Sequence, residues 1–158
     1  INQALTLLGM VQLKRWVYLL SFKEENDIQS EEILKTSFLR ANFCSELIKY
    51  AKDMPINKND AYIMGMFSTL DLIFNEPLSE LLDGIYVVDE VKDALLNFGG
   101  RCGILYKLIL SYEKADWNKL KEYADELEIP RNVIAQVYFN CMEEVNTTWD
   151  NAFIYVDK

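Results

Sequence analysis

A chain of 158 residues with 51% apolar side chains suits one domain with its own core and requires no disulfide or metal to hold it. Its formal net charge of -9 opposes binding to an extended phosphate backbone, since the cations stand as isolated pairs such as Lys14-Arg15 and Lys119/Lys121 among acids. The lack of histidine removes the commonest zinc and iron ligand and the commonest general base, Cys44, Cys102 and Cys141 lie far apart in no metal-binding spacing, and no apolar run approaches the roughly 20 residues of a membrane span. These counts lead to the expectation of a cytoplasmic domain with reduced thiols, no metal or cofactor, no nucleic-acid partner and no membrane insertion.

The chain begins in helical pattern at Ile1 (INQALTLLG), as a piece of something longer would. Ala4 to Leu8 form a short apolar helix stopped by Gly9, and Leu13, Trp16, Val17 and Leu20 mark the next helix at helical spacing. Ser30 is the expected cap of a long helix with Glu31 and Glu32 in its first turn. That helix carries two apolar stripes, Leu34, Phe38, Ala41, Cys44, Ile48 and Ala51 on one side and Leu39, Phe43, Leu47 and Tyr50 on another, so it packs on both. Asp53-Met54-Pro55 ends it, and Asn57 to Asp60 cap the next.

Ala61 to Phe74 (AYIMGMFSTLDLIF) reads as one central buried helix interrupted only by the polar Ser68, Thr69 and Asp71. Leu78, Leu81 and Leu82 follow behind Pro77, and Tyr86-Val87-Val88 is too short a β-flavoured run to make a sheet. Asp89 is the expected cap of a helix through Val91, Ala94, Leu95 and Phe98, with Gly99-Gly100 as its stop. Ile104 to Tyr112 form another amphipathic helix, and Asp116 caps the one after it. The last, opened by Pro130, shows the longest stripe: Val133, Ile134, Val137, Tyr138, Cys141, Met142 and Val145. The fold class is all-α, an irregular multi-helix bundle in a single domain.

Three places invite chemistry, and each has a plainer reading. Ser68, Thr69 and Asp71 form either a buried polar site or hydroxyls bonded back to carbonyls one turn earlier, with Asp71 meeting a lysine or a helix end. Gly99 to Gly103 (GGRCG) offer free backbone N–H groups and Arg101 to an anion, or simply punctuate two helices; the Lys-Ser/Thr of a phosphate-binding loop is missing. Trp149, Phe153 and Tyr155 supply either a partner surface or a tail docked on its own bundle. Cys44 and Cys141 fall on core stripes with no base to activate them.

INQALTLLG, LKRWVYLL, FLRANFCSEL, DAYIMGMFSTLD, PLSELL, VKDALL and LILSYEKADW, in this order across nearly the whole chain, resemble the HDOD domain, a relative of the HD phosphohydrolases, in the form found C-terminal to an EAL cyclic-di-GMP phosphodiesterase domain. The resemblance implies an HD-like helical fold. It matches the metal-binding His-Asp doublet of HD enzymes to Ser68 and Thr69, and a further metal histidine to the neighbourhood of Arg40 to Asn42, so it implies the fold without the metal chemistry. The expected function is a non-catalytic regulatory domain of a cyclic-di-GMP signalling protein, acting by contact with an EAL domain in the same chain, another protein or a second copy. The alternative is a small-ligand sensor or vestigial phosphohydrolase using Ser68, Thr69, Asp71 and Arg101 as a nucleotide or phosphate pocket.

Overall fold

The computed structural model describes residues 28–83 and 85–153. The chain divides into two compact units, Ile1–Glu31 and Glu32–Lys158. Of the first, only the start of one helix is described, and all the other described helices belong to the second. The helices expected over Ala4 to Leu20, and Tyr155, lie outside the described residues.

Among the described residues all regular structure is helical: α1 (Ile28–Leu47), α2 (Lys58–Phe67), α3 (Leu70–Phe74), α4 (Leu78–Asp83), α5 (Asp89–Asn97), α6 (Gly100–Glu113), α7 (Trp117–Glu126) and α8 (Arg131–Phe153). The all-α multi-helix bundle implied by the periodicity is what forms, and Tyr86-Val87-Val88 makes no strand.

α1 begins ahead of Ser30, which therefore lies inside the helix and is not its cap; helix ends commonly shift by a residue or two. Ala41, Cys44 and Ile48 are buried on one side and Phe43 and Leu47 on another, as two apolar stripes require. The helix closes at Leu47, earlier than Pro55 alone would demand. The amides of Lys49, Tyr50 and Ala51 each bond three residues back, a tightening that precedes the left-handed Asp53. α2 opens on a capping box: the Asn57 side chain accepts from the amides of Asn59 (2.8 Å) and Asp60 (3.0 Å), and the Asp60 carboxylate accepts from the Asn57 amide.

The expected single helix over Ala61 to Phe74 is two helices. Gly65 lets α2 press on the α1 backbone at Arg40 and Ala41, where a side chain would collide. One turn on, the Ser68 hydroxyl donates to the Gly65 carbonyl at 2.7 Å in competition with the helical ladder, and Thr69 leaves the helical conformation (φ -121, ψ 7). The change of direction leaves Leu72, which a continuous central helix would bury, 60% exposed.

Two other helix ends differ from expectation. Val88 is the N-cap of α5, and Asp89 and Glu90 lie in its first turn, where their charge still favours the helix dipole. Phe98, not Gly99-Gly100, takes the left-handed stop (φ 55), and Gly99 is the N-cap of α6. The chain turns back so sharply that a side chain on Gly103 would strike the Phe98 backbone. α6 ends on left-handed Ala115 and α7 on left-handed Glu128. In both cases the next amide reaches back five residues, Asp116 to Ser111 and Ile129 to Ala124, each at 2.9 Å.

α6 packs against both α5 and α7, while α8 buries Ile134, Val137, Cys141, Val145 and Trp149. An aromatic cluster joins four helices. Phe43 of α1 meets Tyr112 of α6 (5.5 Å) and Tyr138 of α8 (5.3 Å) edge to face, and Tyr112 also touches Tyr138 (4.5 Å) and Trp117 of α7 (5.7 Å).

Candidate functional site

The break between α2 and α3 places Ser68 and Thr69 in the interior, 7% and 1% exposed, within reach of α1 and α6. Besides donating to the Gly65 carbonyl, the Ser68 hydroxyl accepts from the Arg40 guanidinium at 3.1 Å. Arg40 turns its remaining face to Glu113, at the last residue of α6, with Nε on one carboxylate oxygen and its second terminal nitrogen on the other, both at 2.8 Å. Ser37, one turn before Arg40, donates to the Met66 carbonyl at 2.7 Å and holds α1 to the end of α2.

Electrostatics follow from this packing. Burial works against the Arg40 charge, yet the hydrogen bonds and charge of Glu113 outweigh it and the guanidinium pKa is raised. Burial raises the Tyr106 phenol, while Arg40 and Ser68 pull the other way. Burial raises the Cys44 thiol as well, with Arg40 pulling partly back. The resulting cluster of Arg40, Ser68, Tyr106 and Glu113 is a charge-assisted clamp, and none of its members is a free base or nucleophile.

This neighbourhood does not fit a divalent metal. The groups on hand are the hydroxyls of Ser68 and Thr69, the Tyr106 phenol and a cation, and the carboxylate in reach, Glu113, is held at both oxygens by that cation. No group of three histidine, cysteine or acidic residues suited to a metal ion occurs among the described residues.

The other sequence candidates scatter. Back-bonding holds for Ser68 but not for Thr69, whose buried hydroxyl has no hydrogen-bond partner among the described residues. Asp71 is half-buried in the first turn of α3, at a helix end. Arg101 does not join Ser68 or Asp71; its guanidinium donates twice to the Lys52 carbonyl, at 2.6 and 3.2 Å, and ties the start of α6 to the loop after α1. Trp149 is 8% exposed, edge to face with Phe38 at 5.9 Å and with the Lys35 ammonium 5.4 Å over its ring, so it docks on its own bundle. Phe153 is the last residue of α8.

All three thiols are buried, and burial lifts Cys102 to about 11 and Cys141 to about 12. Residues missed by the sequence reading are Glu113 and Tyr106. The available signal was the charged Arg40 in the middle of α1, flanked by apolar neighbours and therefore in need of a carboxylate.

Among the described residues no helix is long and apolar enough to cross a membrane. No family model and no solved structure matches the chain. Among curated proteins it is 31% identical over 132 residues to the uncharacterised protein YuxH of Bacillus subtilis, covering 81% of this chain and 32% of that protein. It is also 31% identical over 126 residues to the cyclic di-GMP phosphodiesterase CdgJ of Vibrio cholerae, covering 80% of this chain and 29% of that protein. The chain thus spans about a third of the length of the curated relatives it matches.

Proposed function

We propose that this chain is a non-catalytic regulatory module of the HDOD kind in a cyclic di-GMP signalling protein, and that it works by contact with an EAL-type phosphodiesterase domain, another protein or a second copy of itself. The observation that carries the non-catalytic part is the Arg40 guanidinium on Ser68. At the point where the resemblance matches a metal-binding doublet, a fixed organic cation supplies the positive charge and engages the nearest carboxylate. Support for the signalling context is the similarity to CdgJ, which is named a cyclic di-GMP phosphodiesterase and of which the match covers under a third.

A second reading, a small-ligand sensor or vestigial phosphohydrolase, draws on the unpartnered Thr69 hydroxyl. Phosphate or nucleotide binding lost in Thr69→Val would favour it.

The test is hydrolysis of cyclic di-GMP. The chain alone is expected to show none with magnesium or manganese added, and the protein that carries it is expected to change in rate, or in mass by light scattering, when this region is deleted. Turnover by the chain alone ends the non-catalytic reading. A deletion that moves neither rate nor mass ends the contact reading.

A further inference from the structure

Between α6 and α7 runs a shallow open groove of about 350 Å³, walled by Phe98, Leu110 and Tyr123 and rimmed by Lys107, Lys114 and Lys119. In a chain with 25 acidic and 16 basic residues, this is a local reversal of charge. The lining holds one carboxylate, Asp116, which caps α7 through the Lys119 amide and reaches the Lys119 ammonium at 3.6 Å. Among the described residues neither Lys107 nor Lys114 has a carboxylate partner, whereas Lys49, Lys52, Lys58 and Lys92 each have one.

Lys107 on α6 and Lys114, the residue that caps the C-terminus of that helix, stand seven residues apart, two turns and roughly 10 Å along the axis. A single phosphate does not bridge that span. Two carboxylates do, whether two turns apart on a helix or three residues apart on an extended segment. The Lys107 ammonium lies 5.6 Å over the Tyr123 ring, which places one of the two charges beside the α7 wall.

The wall between the charges is built to receive an apolar group. Phe98 occupies a backbone region that disfavours side chains, and its ring, 43% exposed, is held by stacking on Tyr106 at 5.3 Å. A half-exposed aromatic fixed in this way is a preorganised anchor.

We propose that this groove docks an acidic segment of a protein partner, two of whose carboxylates meet Lys107 and Lys114 while one apolar side chain seats against Phe98 and Tyr123. The proposal rests on the contact reading of the chain's function and names its surface. Exposed ion pairs steer and select more than they hold, so the apolar seat carries most of the affinity and added salt weakens binding.

The experiment is selection of a random peptide library on the whole chain, followed by titration of the recovered peptides against the chain, Lys107→Glu/Lys114→Glu and, as control, Lys121→Glu. Recovered peptides are expected to be acidic with one large apolar residue, and to lose about tenfold or more in affinity on the double reversal with no loss on the control. The proposal is overturned if no peptide is recovered, if those recovered are not acidic, or if they bind the double variant as well as the parent. It is also overturned if inorganic phosphate, cyclic di-GMP or phosphatidylserine vesicles, and not peptides, bind through these lysines. Should the peptides fail while deletion of the region still alters phosphodiesterase rate or mass, the groove is wrong and the contact reading stands. The reverse pattern keeps the groove and ends that reading.

Discussion

Arg40 grips both carboxylate oxygens of Glu113 at 2.8 Å, a pair that joins residues 73 apart in the sequence. The two side chains are 15% and 24% exposed, so the pair is neither a free surface bridge nor a fully dry one. Losing one partner of a buried pair costs about 3 to 5 kcal/mol, and partial exposure reduces this to about 1 to 3. In a double-mutant cycle of Arg40→Met and Glu113→Gln, urea denaturation is expected to show a coupling of about 1 to 2 kcal/mol, with the double variant less damaged than the sum of the singles. Additive single effects would mean that the clamp does not form in solution.

Thr69 and Ser68 are neighbours with opposite expectations. The Thr69 hydroxyl is buried with no partner among the described residues, so Thr69→Val removes an unmet polar group at nearly constant volume and is expected to raise stability by about 1 kcal/mol. Ser68→Ala deprives Arg40 of an acceptor and is expected to lower it by about 1 kcal/mol. Thermal unfolding of the two variants side by side decides, and a destabilised Thr69→Val would show that the hydroxyl has a partner.

For Gly65, local and tertiary preferences conflict. In a helix interior alanine is favoured over glycine by about 1 kcal/mol. Here a Cβ would run into the backbone of Arg40 and Ala41, which cannot rotate away as a side chain would, and forcing the helices apart costs about 1 to 3 kcal/mol or more. Gly65→Ala is therefore expected to lower the urea midpoint. A raised midpoint would mean that α1 and α2 do not meet so closely at this residue.

The buried thiols set a pH dependence. Burial raises Cys102 and Cys141 from an ordinary 9.0 to about 11 and about 12, and it raises the Tyr62 phenol to about 12. A group that keeps its proton when folded and loses it when unfolded makes the folded state bind more protons, so stability falls as pH rises. The contribution is complete below about pH 9 and declines from there towards pH 11 to 12. Urea midpoints are expected to drop between pH 9 and pH 11, and a thiol reagent at pH 8 should modify three cysteines per chain only after unfolding. Rapid modification of the native chain would contradict the burial.

What the sequence reveals is what repeats or what lies close together. The α8 stripe of Ile134, Val137, Cys141 and Val145 is legible because its period is unbroken over many turns, and the Asn57–Asp60 capping box because both partners lie within four residues. The division of the central helix at Ser68 and Thr69 is not legible. It depends on Gly65 meeting α1 and on Arg40, 28 residues earlier, reaching the Ser68 hydroxyl. Asp71 and Arg101 looked like neighbours of a site, yet Arg101 faces the Lys52 carbonyl, a backbone group that no residue pattern marks. Phe98 reads as one more apolar position of α5, yet it takes the left-handed stop after that helix and its ring is half-exposed.

The stops of α6 and α7 leave this protein a margin that natural variation or engineering can draw on. Ala115 and Glu128 hold left-handed positions, φ 54 and 56, at which most helices place glycine, and each carries a side-chain conflict that glycine lacks. Relieving it outweighs the extra freedom glycine gives the unfolded chain. Ala115→Gly and Glu128→Gly together are expected to raise the melting temperature by several degrees, about 1 kcal/mol in all, at the loss of the exposed Lys52–Glu128 ion pair and without touching the core, the Arg40 clamp or the lysine rim. A chain so altered would offset one mild loss of about 1 kcal/mol, such as that expected of Ser68→Ala, so the two positions make a background in which weakened variants of the clamp can be assayed with the stability of the parent.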